Sequence, residues 1–331
     1  MTVGLRPRLE AWLNRRWYEG RPPEWPLRLL ARLQGRLVTM NQRRRKQAWR
    51  APVPLVVVGN LTAGGSGKTP LVAWLARQLT SRGLRVGIIS RGYGRRQQDV
   101  RLLDDKDDWQ SGGDEPLLLR RMAACPVAVG RDRPAACRLL LSRHSLDIIL
   151  SDDGLQHYRL HRDRELLIID RARGFGNGLL LPAGPLREPV ARAREVDWTI
   201  WNGGVPPGEQ GIAMTLAVEE AVRLIDGERR PLADFGPGPV RAVAGIGAPS
   251  RFFDSLGEKG IEVVPETPGD HGQWKPPSQD TMPVLMTDKD AIKLQGRAGA
   301  DWWRVPLQAR VTPSSALLDD IQSLIVNEET P

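Results

Sequence analysis

The sequence predicts an α/β protein built on a P-loop nucleotide-binding core, and three observations predict it. Short apolar runs near residues 54, 86, 126, 148, 166, 198, 241, 262 and 283 alternate with stretches of helical periodicity, as expected when crossover helices join parallel strands. One of these runs leads directly into a glycine-rich loop that ends in Lys-Thr, and another ends in paired aspartates. At 331 residues the chain is long enough for two medium α/β domains, each with its own core.

The run Pro54-Leu-Val-Val-Val58 is β-branched and apolar, the composition of a strand buried on both faces. It is followed by Gly59-Asn-Leu-Thr-Ala-Gly-Gly-Ser-Gly-Lys-Thr-Pro70, and Leu71 to Leu79 resume with helical spacing. Strand, glycine loop and helix in that order make a phosphate cradle from Thr62, Ala63, Gly64, Gly65, Ser66, Gly67, Lys68 and Thr69. The glycines let backbone N–H groups approach phosphates, Lys68 reaches the β and γ oxygens of ATP, and Thr69 holds Mg²⁺. Pro70 suits the first helical turn, where a missing N–H costs little. The first position of the usual pattern is Thr62 rather than glycine, so the opening turn is expected to differ.

Leu146-Asp-Ile-Ile-Leu150 ends in Ser151-Asp152-Asp153-Gly154, which puts two carboxylates at the carboxyl end of a strand beside the cradle, where a Walker B acid holds the hydration shell of Mg²⁺. Acidic residues there also serve as turn formers. Gly112-Gly-Asp-Glu-Pro116 opens a helix through Leu117, Leu118, Leu119 and Met122, with Asp114 and Glu115 well placed for its N-terminal dipole.

The formal charge of +9 is local. Residues 1–50 hold thirteen Lys/Arg and three Glu, which leaves 35 basic against 36 acidic residues in the remainder. The neutral body argues against a nucleic-acid partner. Leu5, Leu9, Trp12 and Leu13 recur at helical spacing, as do Leu29, Leu33 and Leu37 after the breaks at Pro22, Pro23 and Pro26. Two amphipathic helices with arginines and four of the eleven tryptophans fit an interfacial membrane anchor. The same pattern fits a helical hairpin packed on the domain with solvated arginines, and Arg43-Arg-Arg-Lys46 favours an anionic surface. No run is apolar enough for a signal peptide or a spanning helix. Cys125 and Cys137 form no metal or disulfide spacing, which fits a reducing cytosol.

Taken together, Gly59-Asn60, Gly64-Gly-Ser-Gly-Lys-Thr-Pro70, Ser90-Arg-Gly-Tyr-Gly94, Gly113-Asp-Glu-Pro116, Val129-Gly-Arg131, Asp152-Asp-Gly-Leu-Gln-His157 and Pro182-Ala-Gly-Pro-Leu-Arg-Glu-Pro189 resemble the tetraacyldisaccharide 4′-kinases. Ala244-Gly-Ile-Gly-Ala-Pro249, Asp270-His271 and Thr287-Asp-Lys-Asp290 extend the resemblance toward residue 295. It implies two α/β/α domains joined by a short β-ribbon, with ATP–Mg²⁺ and a lipid A precursor disaccharide meeting in the cleft. It also implies a peripheral enzyme on the cytoplasmic face of the inner membrane; no obligate protein partner is evident. The Pro/Gly-rich pieces at 203–211 and 234–239 then divide the chain into an arm (1–50), a P-loop core (51–203), a linker (204–238) and a smaller α/β domain (239–331).

The resemblance further implies roles. Lys68 neutralises phosphates, while Thr69, Glu115, Asp152 and Asp153 hold Mg²⁺ directly or through water. Asp114 is the base for the sugar 4′-hydroxyl, and His271 orients it, although this chain reads His271-Gly-Gln-Trp274 where a second aromatic or histidine is common. Asn60, Tyr93, Arg131, Gln156, His157 and Arg187 are expected around the phosphorylated disaccharide. A rival reading is a GTPase-like or metallochaperone-type NTPase, to which Thr287-Asp-Lys-Asp290 bears a superficial likeness. Its lysine falls one place too late, and Asp288 is expected instead as a helix N-cap.

Overall fold

The prolines at 22, 23 and 26 split the N-terminal arm into helices α1 (Leu5–Tyr18) and α2 (Trp25–Gln42). The structure, a computed structural model, describes residues 5–92, 95, 98–104, 106–236, 238–247, 249–268, 274, 282–294 and 299–326, with the backbone alone at 5–11 and 46. Tyr93, Asp270 and His271 lie outside the described residues. The end of α1 is docked: Trp17 Nε1 donates to the Pro182 carbonyl at 3.1 Å, and the Asn177 amide donates to the Trp17 carbonyl at 2.8 Å. Helix α2 instead buries only Ala31 and Val38 among its apolar side chains. It exposes Trp25 (75 %), Leu29, Leu30, Leu33, Leu37 (60 %) and Met40.

The nine expected strands all form. In chain order the core holds β1 (Leu55–Gly59), α3 (Lys68–Ser81), β2 (Val86–Ser90), β3 (Arg101–Leu102), α4 (Trp109–Gly112), α5 (Asp114–Ala123), β4 (Val127–Val129), α6 (Arg133–Arg143), β5 (Ile148–Asp152), β6 (Arg164–Asp170) and β7 (Trp198–Asn202). Then follow β8 (Ile212–Ala217), β9 (Glu220–Arg223), β10 (Arg229–Pro231), β11 (Val240–Val243), α7 (Pro249–Gly257), β12 (Val263–Glu266), β13 (Val284–Thr287), α8 (Asp288–Lys293), β14 (Trp302–Val305), β15 (Gln308–Thr312) and α9 (Ser315–Val326).

The larger sheet runs β15-β8-β7-β6-β1-β5-β2-β4-β3, parallel from β8 to β4 with an antiparallel strand at each edge. Its central strands alternate sides. Val56 and Val58 pack with α3, α5 and α9, while Leu55 and Val57 pack with α6 and the segments around 155–160 and 201. With both faces covered, polar side chains can gather only at the strand ends. The smaller sheet runs β10-β9-β14-β13-β11-β12, with β14, β13, β11 and β12 parallel. Trp303 is fully buried there, edge-on to Phe235 at 5.1 Å.

The expected boundaries are corrected in two places. Residues 212–217 are a strand of the large sheet rather than linker, and residues 308–326 leave the smaller domain to rejoin it. The β-ribbon is therefore the antiparallel pair β8–β15, made from two distant segments, through which the chain leaves the core and returns. Hydrophobic burial explains the return, because Leu317, Leu318 and Ile321 of α9 complete the core over α3. Ile321→Ala should lower stability by about 2–5 kcal/mol, read by urea denaturation, with the loss falling in the transition of the P-loop core.

Candidate active site

β1 must end in glycine, because a Cβ at Gly59 would lie 2.7 Å from Leu155 Cγ. The loop then closes on Gly67, whose φ of +95° puts it in the left-handed region and whose added Cβ would lie 2.9 Å from both Asn202 Nδ2 and Met214 Cε. Asn202 donates to the Ser66 carbonyl at 3.0 Å, which ties the loop to the end of β7. Thr62 needs no left-handed backbone. It forms an antiparallel bridge with Leu186, and the Ala63 amide donates to the Pro185 carbonyl at 2.7 Å. A backbone held in this bridge does not require the glycine that the usual pattern has there.

Lys68 opens α3, and its ammonium donates to Asn60 Oδ1 at 3.2 Å and lies 3.6 Å from Asp153 Oδ1. Asp152 and Asp153 follow one another at the end of β5. Burial, then Asp153 and Glu115, push the Asp152 carboxyl up to about 6 against the pull of Lys68 and Arg133. For Asp153 burial works in the same upward direction, but Lys68 and Arg187 reverse it and hold the group down at about 2. Arg187 grips both Asp153 oxygens at 2.9 and 3.0 Å.

The residues present fit a magnesium-bound polyphosphate. Asp152 Oδ1 and Ser66 Oγ are buried without a hydrogen-bond partner among the described residues, although Ser90 Oγ donates to the other Asp152 oxygen at 3.2 Å. An orphaned buried oxygen costs about 1–3 kcal/mol, a cost that a hydrated cation at Asp152 and a phosphate at Ser66 would each remove. No group of three His, Cys, Asp or Glu among the described residues forms a ready-made cage.

Gly113 (φ +85°) turns the chain into α5, and Asp114 is buried at the first position of that helix, accepting the Glu115 amide at 3.0 Å. From the smaller domain Lys289 Nζ lies 3.7 Å from Asp114 Oδ2 and 3.8 Å from Glu115 Oε1.

The other residues expected around the acceptor have these surroundings. Asn60 is fully buried, and its Oδ1 accepts from the Lys68 ammonium. The Gln156 amide is engaged with the Asn60 carbonyl at 3.1 Å and Glu188 at 3.0 Å, which makes it a brace for the same loop. His157 has its pKa lowered to about 4 by burial and then by Arg133, Arg162 and Arg159, so it is neutral near pH 7. Arg131 is exposed, and Arg187 is paired with Asp153. Asp288 is not an N-cap. Thr287 caps α8 by accepting the Asp290 amide, and Asp288 pairs with Arg304 at 2.8 Å.

Sequence reasoning missed Ser90, Arg133, Glu188, Asn202 and Lys289. Ser90, Glu188 and Lys289 lie inside motifs already singled out. Arg133 is buried and donates to the Asp152 carbonyl at 2.7 Å. An arginine two residues beyond Arg131 carries no local signal of that contact.

A phosphate cradle whose lysine faces paired carboxylates at the ends of parallel strands defines a P-loop phosphotransferase. The family model described as Tetraacyldisaccharide-1-P 4'-kinase matches residues 23–325, and the chain belongs to that family. A tetraacyldisaccharide 4'-kinase of Pseudomonas paraeruginosa is 46 % identical over 310 residues, covering 90 % of this chain and 92 % of the relative. Its counterpart in Azotobacter vinelandii is 45 % identical over 315 residues, with 91 % and 93 % covered. Among solved structures, LpxK from Aquifex aeolicus in complex with ATP superposes with a TM-score of 0.78 at 28 % identity, covering 89 % of this chain and 97 % of that one. The protein is a kinase that uses ATP and Mg²⁺ in lipid A biosynthesis.

Because the folded Asp152 carboxyl titrates at about 6, above its unfolded value of about 3.9, it favours the nucleotide-free fold below pH 4 and loses that contribution as pH rises through 6. Asp152→Asn should therefore stabilise the nucleotide-free protein at pH 7.5 by on the order of 2 kcal/mol and leave stability near pH 4 little changed. Denaturation at the two pH values checks it.

Proposed function

We propose that Asp114 is the general base for transfer of the ATP γ-phosphoryl group to the 4′-hydroxyl of a tetraacyldisaccharide 1-phosphate, and that the transfer takes place on a membrane surface. The single observation that carries this reading is the placement of the buried Asp114 carboxylate. It stands at a helix N-terminus next to Glu115, whose charge acts on Asp152, and it shares Lys289 with Glu115.

Phosphoryl transfer asks mainly for positioning and charge neutralisation. Lys68 draws the β and γ phosphates onto the loop, and the backbone N–H groups from Gly64 to Thr69 cradle them. Thr69, Asp152 and Glu115 are the residues that would hold Mg²⁺, which neutralises charge on the phosphate oxygens when bound. Asp153 keeps Lys68 and Arg187 in place. The acceptor oxygen forms its bond to the γ-phosphorus as the bond to the leaving ADP breaks, and Asp114 takes the hydroxyl proton. The arginine-rich mouth, with Arg187 and Arg131, suits an acceptor that already bears a phosphate.

Transfer of labelled γ-phosphate to the disaccharide 1-phosphate in detergent micelles tests the reading. Lys68→Ala should abolish incorporation, and Asp114→Asn should lower turnover by about 10²–10⁴-fold while ATP affinity stays within a few-fold. An Asp114→Asn enzyme with wild-type turnover removes Asp114 from the mechanism.

The arm is the contact with the membrane. On α2 the exposed Trp25, Leu29, Leu33, Leu37 and Met40 lie along one side, with the exposed Arg28, Arg32 and Arg36 beside them, the make-up of an interfacial helix. No described helix is long and apolar enough to cross a membrane. We place this surface on the cytoplasmic face of the inner membrane, where ATP and acceptor meet. Replacing Leu29, Leu33 and Leu37 with serine should weaken co-sedimentation with anionic phospholipid vesicles by roughly tenfold per leucine. Unchanged sedimentation would assign the stripe another role.

A further inference from the structure

Helix α8 begins the segment of the smaller domain that meets the P-loop core. Its polar side chains are engaged within that domain: Asp290 accepts the Gly245 amide at 2.8 Å and the Thr287 hydroxyl at 2.6 Å, Lys293 pairs with Asp290 at 3.4 Å, and Asp288 pairs with Arg304. Ile292 enters the core of the large sheet, which seats α8 against α5. Lys289 reaches the other way, into the carboxylate pair. It is 13 % exposed, and its ammonium stands nearly equidistant from Asp114 and Glu115.

Two adjacent carboxylates on one helical turn repel each other, and while Asp114 Oδ1 accepts the Glu115 amide at 3.0 Å, it is the other oxygen, Oδ2, that faces Lys289. A cation fixed between them by a rigid second element offsets that repulsion and fixes the second oxygen, as supporting groups do for reacting side chains elsewhere. We propose that Lys289 is a positioning residue for the phosphoryl transfer. Its ammonium holds the Asp114 carboxylate in the orientation that takes the acceptor proton, so the base is complete only while α8 is docked on α5. This rests on the reading of Asp114 as the base. It assigns a purpose to the lysine of Thr287-Asp-Lys-Asp290, which neither nucleotide recognition nor capping requires.

The test uses the full-length chain, with Lys289→Met, which keeps the stem and removes the charge, and Lys289→Arg, which keeps the charge. Each is measured alone and in the Asp114→Asn background, with single-turnover transfer of labelled phosphate to the disaccharide 1-phosphate. Lys289→Met should lower kcat by about 10–100-fold with the KM for ATP within about twofold, and Lys289→Arg should restore most of the loss. In the Asp114→Asn background the same change should cost less than about twofold, the non-additivity expected of two groups acting as one. Wild-type kcat in Lys289→Met overturns the proposal. So does an equal loss in both backgrounds, which would place the lysine's action elsewhere. A raised KM for ATP would make it a nucleotide contact, and a lowered melting temperature with no rescue by arginine would make it a structural tie. Turnover retained by Asp114→Asn alone is a separate failure, that of the base assignment.

Discussion

Two neighbouring carboxylates at the end of a fully buried strand set the electrostatics on which the rest of the site depends. Asp152 and Asp153 cannot both ionise cheaply in that setting, and the surrounding cations are unevenly shared between them. Lys68 and Arg187 go to Asp153, whereas Arg133 spends its bond on the Asp152 backbone carbonyl. Arg133 is itself lowered to about 10 by burial, so even this cation is held at some cost. One carboxylate is thus neutralised in advance, and the other keeps an oxygen without a partner among the described residues. That asymmetry separates the two roles: Asp153 locks the lysine, and Asp152 offers an unsatisfied acceptor to whatever cation enters.

The strand ends that collect these groups were legible in the sequence because their causes are local. A β-branched run before a glycine loop and an apolar run before Asp152-Asp153 each identify a parallel strand and its polar terminus within about a dozen residues. What was not legible depends on distant segments. β8 and β15 are separated by nearly the whole smaller domain, and although β8 is apolar, β15 carries Gln308, Arg310 and Thr312 and does not stand out; their pairing follows from α9 needing a core to cover. Arg133 and Asn202 act through a backbone carbonyl and a backbone approach, which no side-chain motif encodes. Asn60 and Gln156 were visible as motif residues, yet whether a polar side chain faces solvent or braces a loop from below is decided by burial, which spacing does not report.

Beneath the loop lies a second layer of polar groups. Arg162 and Arg192 flank Glu165, Arg192 donates to Tyr158, Tyr158 donates to Glu188, and Glu188 accepts from the Gln156 amide that braces Asn60. Asn41 and Gln42, at the end of α2, donate into the same layer at the Gln156 carbonyl, Tyr158 and Glu188. Desolvation makes buried ion pairs poor sources of net stability, but loss of one partner strands the other and costs about 3–5 kcal/mol. Such a layer therefore fixes geometry more than it adds stability, and here the geometry it fixes is that of the residue holding Lys68.

α5 is the wall shared by the two α/β units. One side of it packs on α3, whose first residue is Lys68, and another on α8, which carries Lys289, while its N-terminus holds Asp114 and Glu115. A close-packed interior transmits displacement rather than absorbing it. A shift of the smaller unit is therefore felt at the carboxylates through α8 and α5 before it reaches the phosphate loop, which is anchored separately to β7 and to the 185–186 segment. The phosphate loop and the Asp114–Glu115 pair are consequently supported by different parts of the fold. The first depends on contacts within the large sheet, and the second on the docking of two units. A movement between the units can therefore alter the surroundings of Asp114 and Glu115 while the phosphate loop keeps its own anchors.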